Sequence, residues 1–239
     1  MIHLPDLSCF YDSQCAGVDT KNSLPEFEAH HALKVLRLKV GDDFLVSNGV
    51  GTIFLCKVLD VNRRDLVYSA IEKKIESNEK PFKTTVACGV LGSQSRMEWM
   101  VEKLTEIGVN EILFYHNTRS KKKTLNISRL NKTVVSALKQ SRKAFLPEIN
   151  EWAFNDLIQL NYKLKLAAIC DENEYNHVST FNDQESLMLI GPEGDFSSQE
   201  IELLLENDFK PCTLGNERLR SETAAIYALT CLNANMLKE

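Results

Sequence analysis

The sequence is as informative in what it lacks as in what it holds. No apolar stretch among its 239 residues approaches the ~20 needed to cross a bilayer. The first Lys or Arg is Lys21 and no long apolar run precedes it, so a secretory leader is not expected. No C-x-x-C pair occurs. The seven cysteines (Cys9, Cys15, Cys56, Cys88, Cys170, Cys212 and Cys231) are odd in number, scattered, and without a nearby histidine pattern for zinc. That usage fits reduced thiols in a cytoplasmic protein, most of them core residues, with no metal site. There is no G-x-G-x-x-G fingerprint, no Gly-Lys-Ser/Thr after a glycine loop, and no G-x-S-x-G elbow. The common dinucleotide, nucleoside-triphosphate and hydrolase classes are therefore not indicated.

Acidic residues are absent from one long window. Between Ile112 and Pro147 there is no Asp or Glu, while Arg119, Lys121, Lys122, Lys123, Arg129, Lys132, Lys139, Arg142 and Lys143 supply nine positive charges. From Glu148 onward seventeen acids face six bases, so the net charge of −5 conceals a strong segregation. A local cationic surface attracts polyanions even on an acidic protein, and the interspersed acids of an ordinary solvated helix face are missing here.

What is present is ordinary globular material, 44% hydrophobic and 26% charged, enough for one large domain or two smaller ones. Residues 1–75 read mainly as β. Phe44–Ser47 and Gly51–Val58 are strands joined through the hairpin signal Asn48-Gly49, and Asn62–Asp65 turns into a strand over Leu66–Ile71. A short helix is expected over Glu28–Leu38, with Leu33, Leu36 and Val40 inward, and short strands with tight turns indicate a small barrel. His30 and His31 lack ligand-spaced partners, which favours a structural or RNA-side role over metal binding. The polar run from Glu72 to Pro81 reads as a linker.

From residue 76 the period changes to alternating strands and helices. Strands are expected at Thr84–Val90, Glu111–Tyr115, Leu164–Cys170, Leu187–Ile190 and Phe209–Leu214. Helices are expected at Met97–Ile107 (stopped by Gly108), Ser128–Lys143, Asn155–Leu160, Ser198–Asn207 and Glu222–Met236. Such alternation implies a parallel α/β sheet. Two stretches share one layout of buried strand, glycine loop and helix start. One is Leu187–Ile190 followed by Gly191-Pro192-Glu193-Gly194-Asp195-Phe196, with a capping box Ser197/Glu200. The other is Gly215-Asn216-Glu217-Arg218-Leu219-Arg220, with Ser221 or Thr223 as cap. By itself the first loop is equally a plain βα turn or a ligand site. At the C-terminal ends of neighbouring strands the two would form one pocket, suited to a ligand with little phosphate held by backbone.

These motifs resemble the signature of the ribosomal RNA small subunit methyltransferase E (RsmE) family of the SPOUT superfamily. The similarity runs in order along nearly the whole chain: His31-Ala32-Leu33-Lys34-Val35-Leu36-Arg37-Leu38, Lys103–Val109, Thr118-Arg119-Ser120, Gln140-Ser141-Arg142 with Pro147, then the two loops. Two positions depart from it: Asp195 stands where the family usually has a third glycine, and Glu217-Arg218 replaces a more usual Arg-Ile. The resemblance implies a PUA-like β-barrel for RNA over 1–75, and over 76–239 a SPOUT α/β domain with a parallel sheet and a C-terminal trefoil knot. It implies a homodimer that uses S-adenosylmethionine to methylate N3 of a uridine in the decoding region of 16S rRNA of the small subunit. Another SPOUT specificity, or a non-catalytic RNA-binding assembly factor, are the alternatives. Cofactor contacts are then expected from Ile190, Gly191, Pro192, Glu193, Gly194, Leu214, Gly215, Asn216 and Leu219. Arg220 would stabilise the uracil anion, with Glu222 as base or as a group orienting it. Arg37, Arg119, Lys121, Lys122, Lys123, Arg142 and Lys143 would hold RNA phosphates.

Overall fold

The computed structural model describes residues 6–77, 82–117 and 124–236. The chain divides into two compact units, one formed by residues 1–80 with 135–146, the other by 81–134 with 147–239.

The first unit is built on a five-stranded sheet of β1 (Cys9–Tyr11), β2 (Lys21–Ser23), β3 (Asp43–Ser47), β4 (Thr52–Val61) and β5 (Leu66–Glu76), in the order β1-β3-β4-β5-β2. The β1–β3 pair is parallel and the other pairs are antiparallel. Asn48-Gly49 turns the chain between β3 and β4 as expected, with Gly49 at φ 75°. Bulges in β4–β5 bend the long hairpin. Phe10, Phe44 and Tyr68 stack edge-on in the core, where the Tyr68 hydroxyl donates to Asp12 at 2.7 Å.

Three sequence expectations change here. β5 continues to Glu76 and so takes in half of the stretch read as a linker. Its last residues, Glu72-Lys73-Lys74-Ile75-Glu76, are mostly charged and have the composition of a solvated loop. The expected helix is short, α1 (Glu26–His30), and passes into a π-helical turn over His31–Val35. The altered winding rotates later side chains off the helical stripe, so Leu33 packs against the core but Leu36 and Val40 are exposed. Finally, residues 135–146 belong to the first unit although the sequence places them in the second domain. There the Lys139 ammonium, the Glu28 carboxylate at 2.8 Å and both side chains' burial tie this segment to α1.

The second unit is a six-stranded sheet, parallel throughout, of β6 (Lys83–Gly89), β7 (Glu111–His116), β8 (Glu148–Ala153), β9 (Leu164–Ala168), β10 (Glu185–Ile190) and β11 (Lys210–Cys212). Its order is β11-β9-β10-β6-β7-β8. Helices α2 (Gln94–Ile107), α4 (Phe154–Ile158), α5 (Ser198–Glu206) and α6 (Ser221–Met236) belong to this unit, and α3 (Ile127–Ser141) is shared, its residues from 135 on counted with the first unit. α2 buries Met97, Met100, Val101 and Leu104 and ends at Gly108, whose φ of 104° is the left-handed conformation that a C-cap glycine supplies. Of the strands of this sheet, β8 lacks an expectation. It is an edge strand whose residues are half polar, so its pattern carried no apolar run.

Candidate functional site

β10 is the central feature of this sheet. Ser186 to Ile190 are buried, and the strand has parallel neighbours on both sides, with Ile190 beside Cys88 of β6 and Ala168 of β9. The chain leaves β6 towards β7 and β8 on one side, while β9 and β11 lie on the other. The C-terminal end of β10 therefore sits where the strand order reverses, the place at which open α/β sheets leave a crevice for ligands.

The loop after β10 is held from several directions. The Tyr115 hydroxyl, buried, donates to the Ile190 carbonyl at 2.9 Å. Gly191 packs on Asp195, and an added Cβ would come within 2.8 Å of the Asp195 carboxylate. Pro192 packs on Gly89 at the end of β6, and a Cβ there would meet the proline ring at 2.7 Å. Asp195 has φ 58°, the left-handed region, and its Oδ1 accepts from the Phe196 amide at 2.9 Å. This explains the departure from glycine: Asp tolerates left-handed backbone better than most residues and satisfies a neighbouring amide in the same motion. The capping box is formed as the sequence indicates. Ser197 Oγ accepts from the Glu200 amide at 3.2 Å, and the Glu200 carboxylate from the Ser197 amide at 2.8 Å.

The second loop runs from the end of β11 to α6. Its strand is not the neighbour of β10, because β9 lies between them: Ile190 and Cys212 both pair with Ala168, from opposite sides. The expectation of neighbouring strands is corrected accordingly. A short edge strand gives no sequence signal of its insertion order. Leu214 and Leu219 are half-buried, and Gly215 (φ 113°), Asn216 and Arg220 are exposed. The Arg220 carbonyl accepts from the Ala224 amide at 2.8 Å and so starts α6. Glu222, in the first turn, is buried.

The group that joins the two loops is Arg96, which sequence reasoning missed. From the first turns of α2 its Nη1 donates to Glu193 at 2.9 Å, its Nε donates to Glu222 at 2.8 Å, and Nη2 donates to the other Glu222 oxygen. Glu193 also accepts from the Gly92 amide at 3.0 Å. Burial pushes the Glu222 carboxyl up, but hydrogen bonds from Arg96 and its own amide, with the charges of Arg96 and Arg220, bring it below the usual carboxylate value. Burial pushes the neighbouring Cys88 thiol up, and the Glu222 and Glu193 charges push it further, which keeps it neutral. No sequence signal could have found Arg96, since its partners lie 97 and 126 residues away.

The expected phosphate-binding residues fare unequally. Arg119, Lys121, Lys122 and Lys123 lie outside the described residues. Arg37 is exposed at φ 57°. Arg142 pairs with the exposed Asp6 at 2.8 Å, and the Lys143 carbonyl accepts from Ser47 Oγ at 2.8 Å. Among the described residues no cluster of His, Cys, Asp or Glu could hold a metal ion.

Residues 78–233 match the family model for an RNA methyltransferase domain, and residues 24–67 the one for an RNA methyltransferase PUA domain. The ribosomal RNA small subunit methyltransferase E of Rickettsia conorii is 31% identical over 212 residues, 85% of each chain. The chain belongs to the ribosomal RNA small subunit methyltransferase E family. The Bacillus subtilis member is 28% identical over 223 residues, covering 86% of this chain and 87% of that one. Among solved structures, a probable rRNA-methyltransferase from Porphyromonas gingivalis superposes with a TM-score of 0.86 at 34% identity, covering 97% of this chain and 99% of its own. A Neisseria gonorrhoeae family member, solved bound to S-adenosyl methionine, has the same fold at 22% identity and a TM-score of 0.84, covering 95% of this chain and 97% of its own. The fold class is an α/β RNA methyltransferase domain with a parallel sheet, preceded by a PUA-like domain.

Proposed function

We propose that this protein transfers the methyl group of S-adenosylmethionine to N3 of a uridine in the decoding region of 16S rRNA. The observation that carries the reading is the pair of glycine loops at the C-terminal edge of the parallel sheet, one on each side of β9, tied together through Arg96. The residues fit the cofactor. Buried Ile190 and half-buried Leu214 and Leu219 offer apolar walls, and exposed Gly215 and Asn216 offer accessible backbone for an adenine edge. A Cβ added at Gly215 would meet nothing within 4 Å, so the backbone there is open to a ligand. The cofactor supplies an electrophilic methyl group on a cationic sulfur.

The chain's own residues then have these roles. Ile190, Gly191, Pro192, Glu193 and Gly194 hold one side of the donor, and Leu214, Gly215, Asn216 and Leu219 the other. Uracil N3 must lose its proton for its lone pair to attack, so negative charge develops on the ring. The exposed guanidinium of Arg220, at the start of α6, stabilises that charge. Glu222 is held ionised by Arg96, which makes it a poor base and a better orienting group for Arg220. Alignment of donor and acceptor supplies much of the acceleration. The first unit, with Arg37, Arg142 and Lys143, binds rRNA phosphates together with Arg119 and Lys121–Lys123. A cytoplasmic homodimer, and a C-terminal chain threaded as a trefoil knot, belong to the same reading.

The test is incubation of the purified protein with radiolabelled S-adenosylmethionine and unmodified small subunits, followed by nucleoside analysis. Label in 3-methyluridine is expected, and label in any other nucleoside would overturn the specificity. Arg220→Ala should lower kcat by about 10²–10³-fold with little change in the KM for S-adenosylmethionine.

A further inference from the structure

We propose that Arg96 is a positioning residue for methyl transfer, acting as a clamp that sets the spacing between the two pocket loops. The proposal rests on the assignment of those loops as the methyl-donor site. Three elements converge on one guanidinium: α2 carries it, the β10 loop offers Glu193, and the first turn of α6 offers Glu222. The Glu222 side chain is only 7% exposed, so its charge requires a partner, and Arg96 supplies two parallel N–H donors to it. The third donor reaches Glu193, and Glu193 in turn caps the Gly92 amide before α2. A rigid planar fork satisfies both carboxylates in one geometry, so a shift of either loop breaks donors on the other. A lysine in its place keeps the charge but has no fixed fork. By contrast, the Arg129–Glu98 pair at 2.5 Å in the same unit involves neither loop and an arginine 61% exposed.

The clamp makes predictions that a merely stabilising ion pair does not. Hydrogen exchange of the unliganded protein reads loop order directly. In Arg96→Gln the amides of 191–196 and of 215–224 should both exchange faster, at least tenfold, while β7 and the first unit keep their rates. Arg96→Lys should resemble Arg96→Gln in both loops, because the fork and not the charge does the positioning. Arg129→Gln should leave both loops unchanged. Titration calorimetry should show S-adenosylmethionine binding weakened roughly tenfold in Arg96→Gln. In the double variant with Glu222→Gln, binding should be no weaker than in the worse single variant, as expected of residues acting through one contact. Faster exchange in only one loop, or full retention by Arg96→Lys, would overturn the clamp. If the wild-type chain binds no S-adenosylmethionine, the donor-site assignment fails, and the exchange measurement still decides whether Arg96 joins the loops.

Discussion

Glu222 shows why a residue type at a given position does not fix its role. A glutamate at the start of a helix is compatible with a general base, an orienting group or a simple dipole partner. The contacts decide: buried against Arg96, its carboxyl is held below the ordinary value near 4.5. A group whose folded pKa is depressed contributes stability above its unfolded pKa and loses it as pH falls through the folded value. Glu222→Gln should therefore lower stability near neutrality by about 1.5–3 kcal/mol, the range for hydrogen bonds to charged groups. That difference from wild type should shrink as pH falls below 4.5, which thermal melts across the acid range will measure. Asp195 offers a second check at this scale. Asp195→Ala keeps left-handed backbone without the compensating carboxylate and should cost about 1 kcal/mol. Asp195→Gly should fall within about 0.5 kcal/mol of wild type in urea denaturation. The φ of 58° is a backbone conformation that glycine, the residue the resemblance leads one to expect here, adopts without strain.

Elements were legible in the sequence where a single periodicity governed them. β10 is buried on both faces and reads as one apolar run; α2 carries a clean apolar stripe and a glycine stop; α5 announces itself by its capping box. Legibility failed where tertiary context overrode local pattern. The π-helical turn after α1 changes the winding without a sequence signal, and edge strand β8 and the end of β5 are too polar to distinguish from loop. The insertion of β9 between β10 and β11 is a matter of topology, which no local window contains. Both glycine loops could be read as loops after strands, but the arginine that joins them could not. The caps can be tested against each other. Ser197→Ala removes a formed cap and should destabilise by about 1 kcal/mol. Ser93 precedes α2 in the same manner but makes no side-chain cap bond, so Ser93→Ala should be near neutral in the same denaturation experiment.

Over the whole molecule the decisive property is the acid-free window between Ile112 and Pro147, and what the fold does with its cations. Among the described residues, Lys139 is engaged with Glu28, Arg129 with Glu98 and Arg142 with Asp6. They are not equivalent. Lys139 and Glu28 are both largely buried, so the pair is structural, and Lys139→Ala would leave a carboxylate enclosed without its partner. Loss of stability of about 3–5 kcal/mol is expected from breaking a buried pair on one side. Asp6 is fully exposed, so Arg142 can exchange that carboxylate for a phosphate at little cost. Binding of small-subunit rRNA should weaken steeply with salt, because each neutralised phosphate releases a counterion. Arg37→Ala and Arg142→Ala should each reduce the slope of log K against log salt by about 1, without altering the melting temperature much. Lys139→Ala should lower the melting temperature and leave the slope unchanged at temperatures where the chain is folded. A slope that is already flat for the wild-type chain would exclude phosphate contacts as the basis of recognition, and a reduced slope in Lys139→Ala would place that lysine on the RNA instead of in the fold.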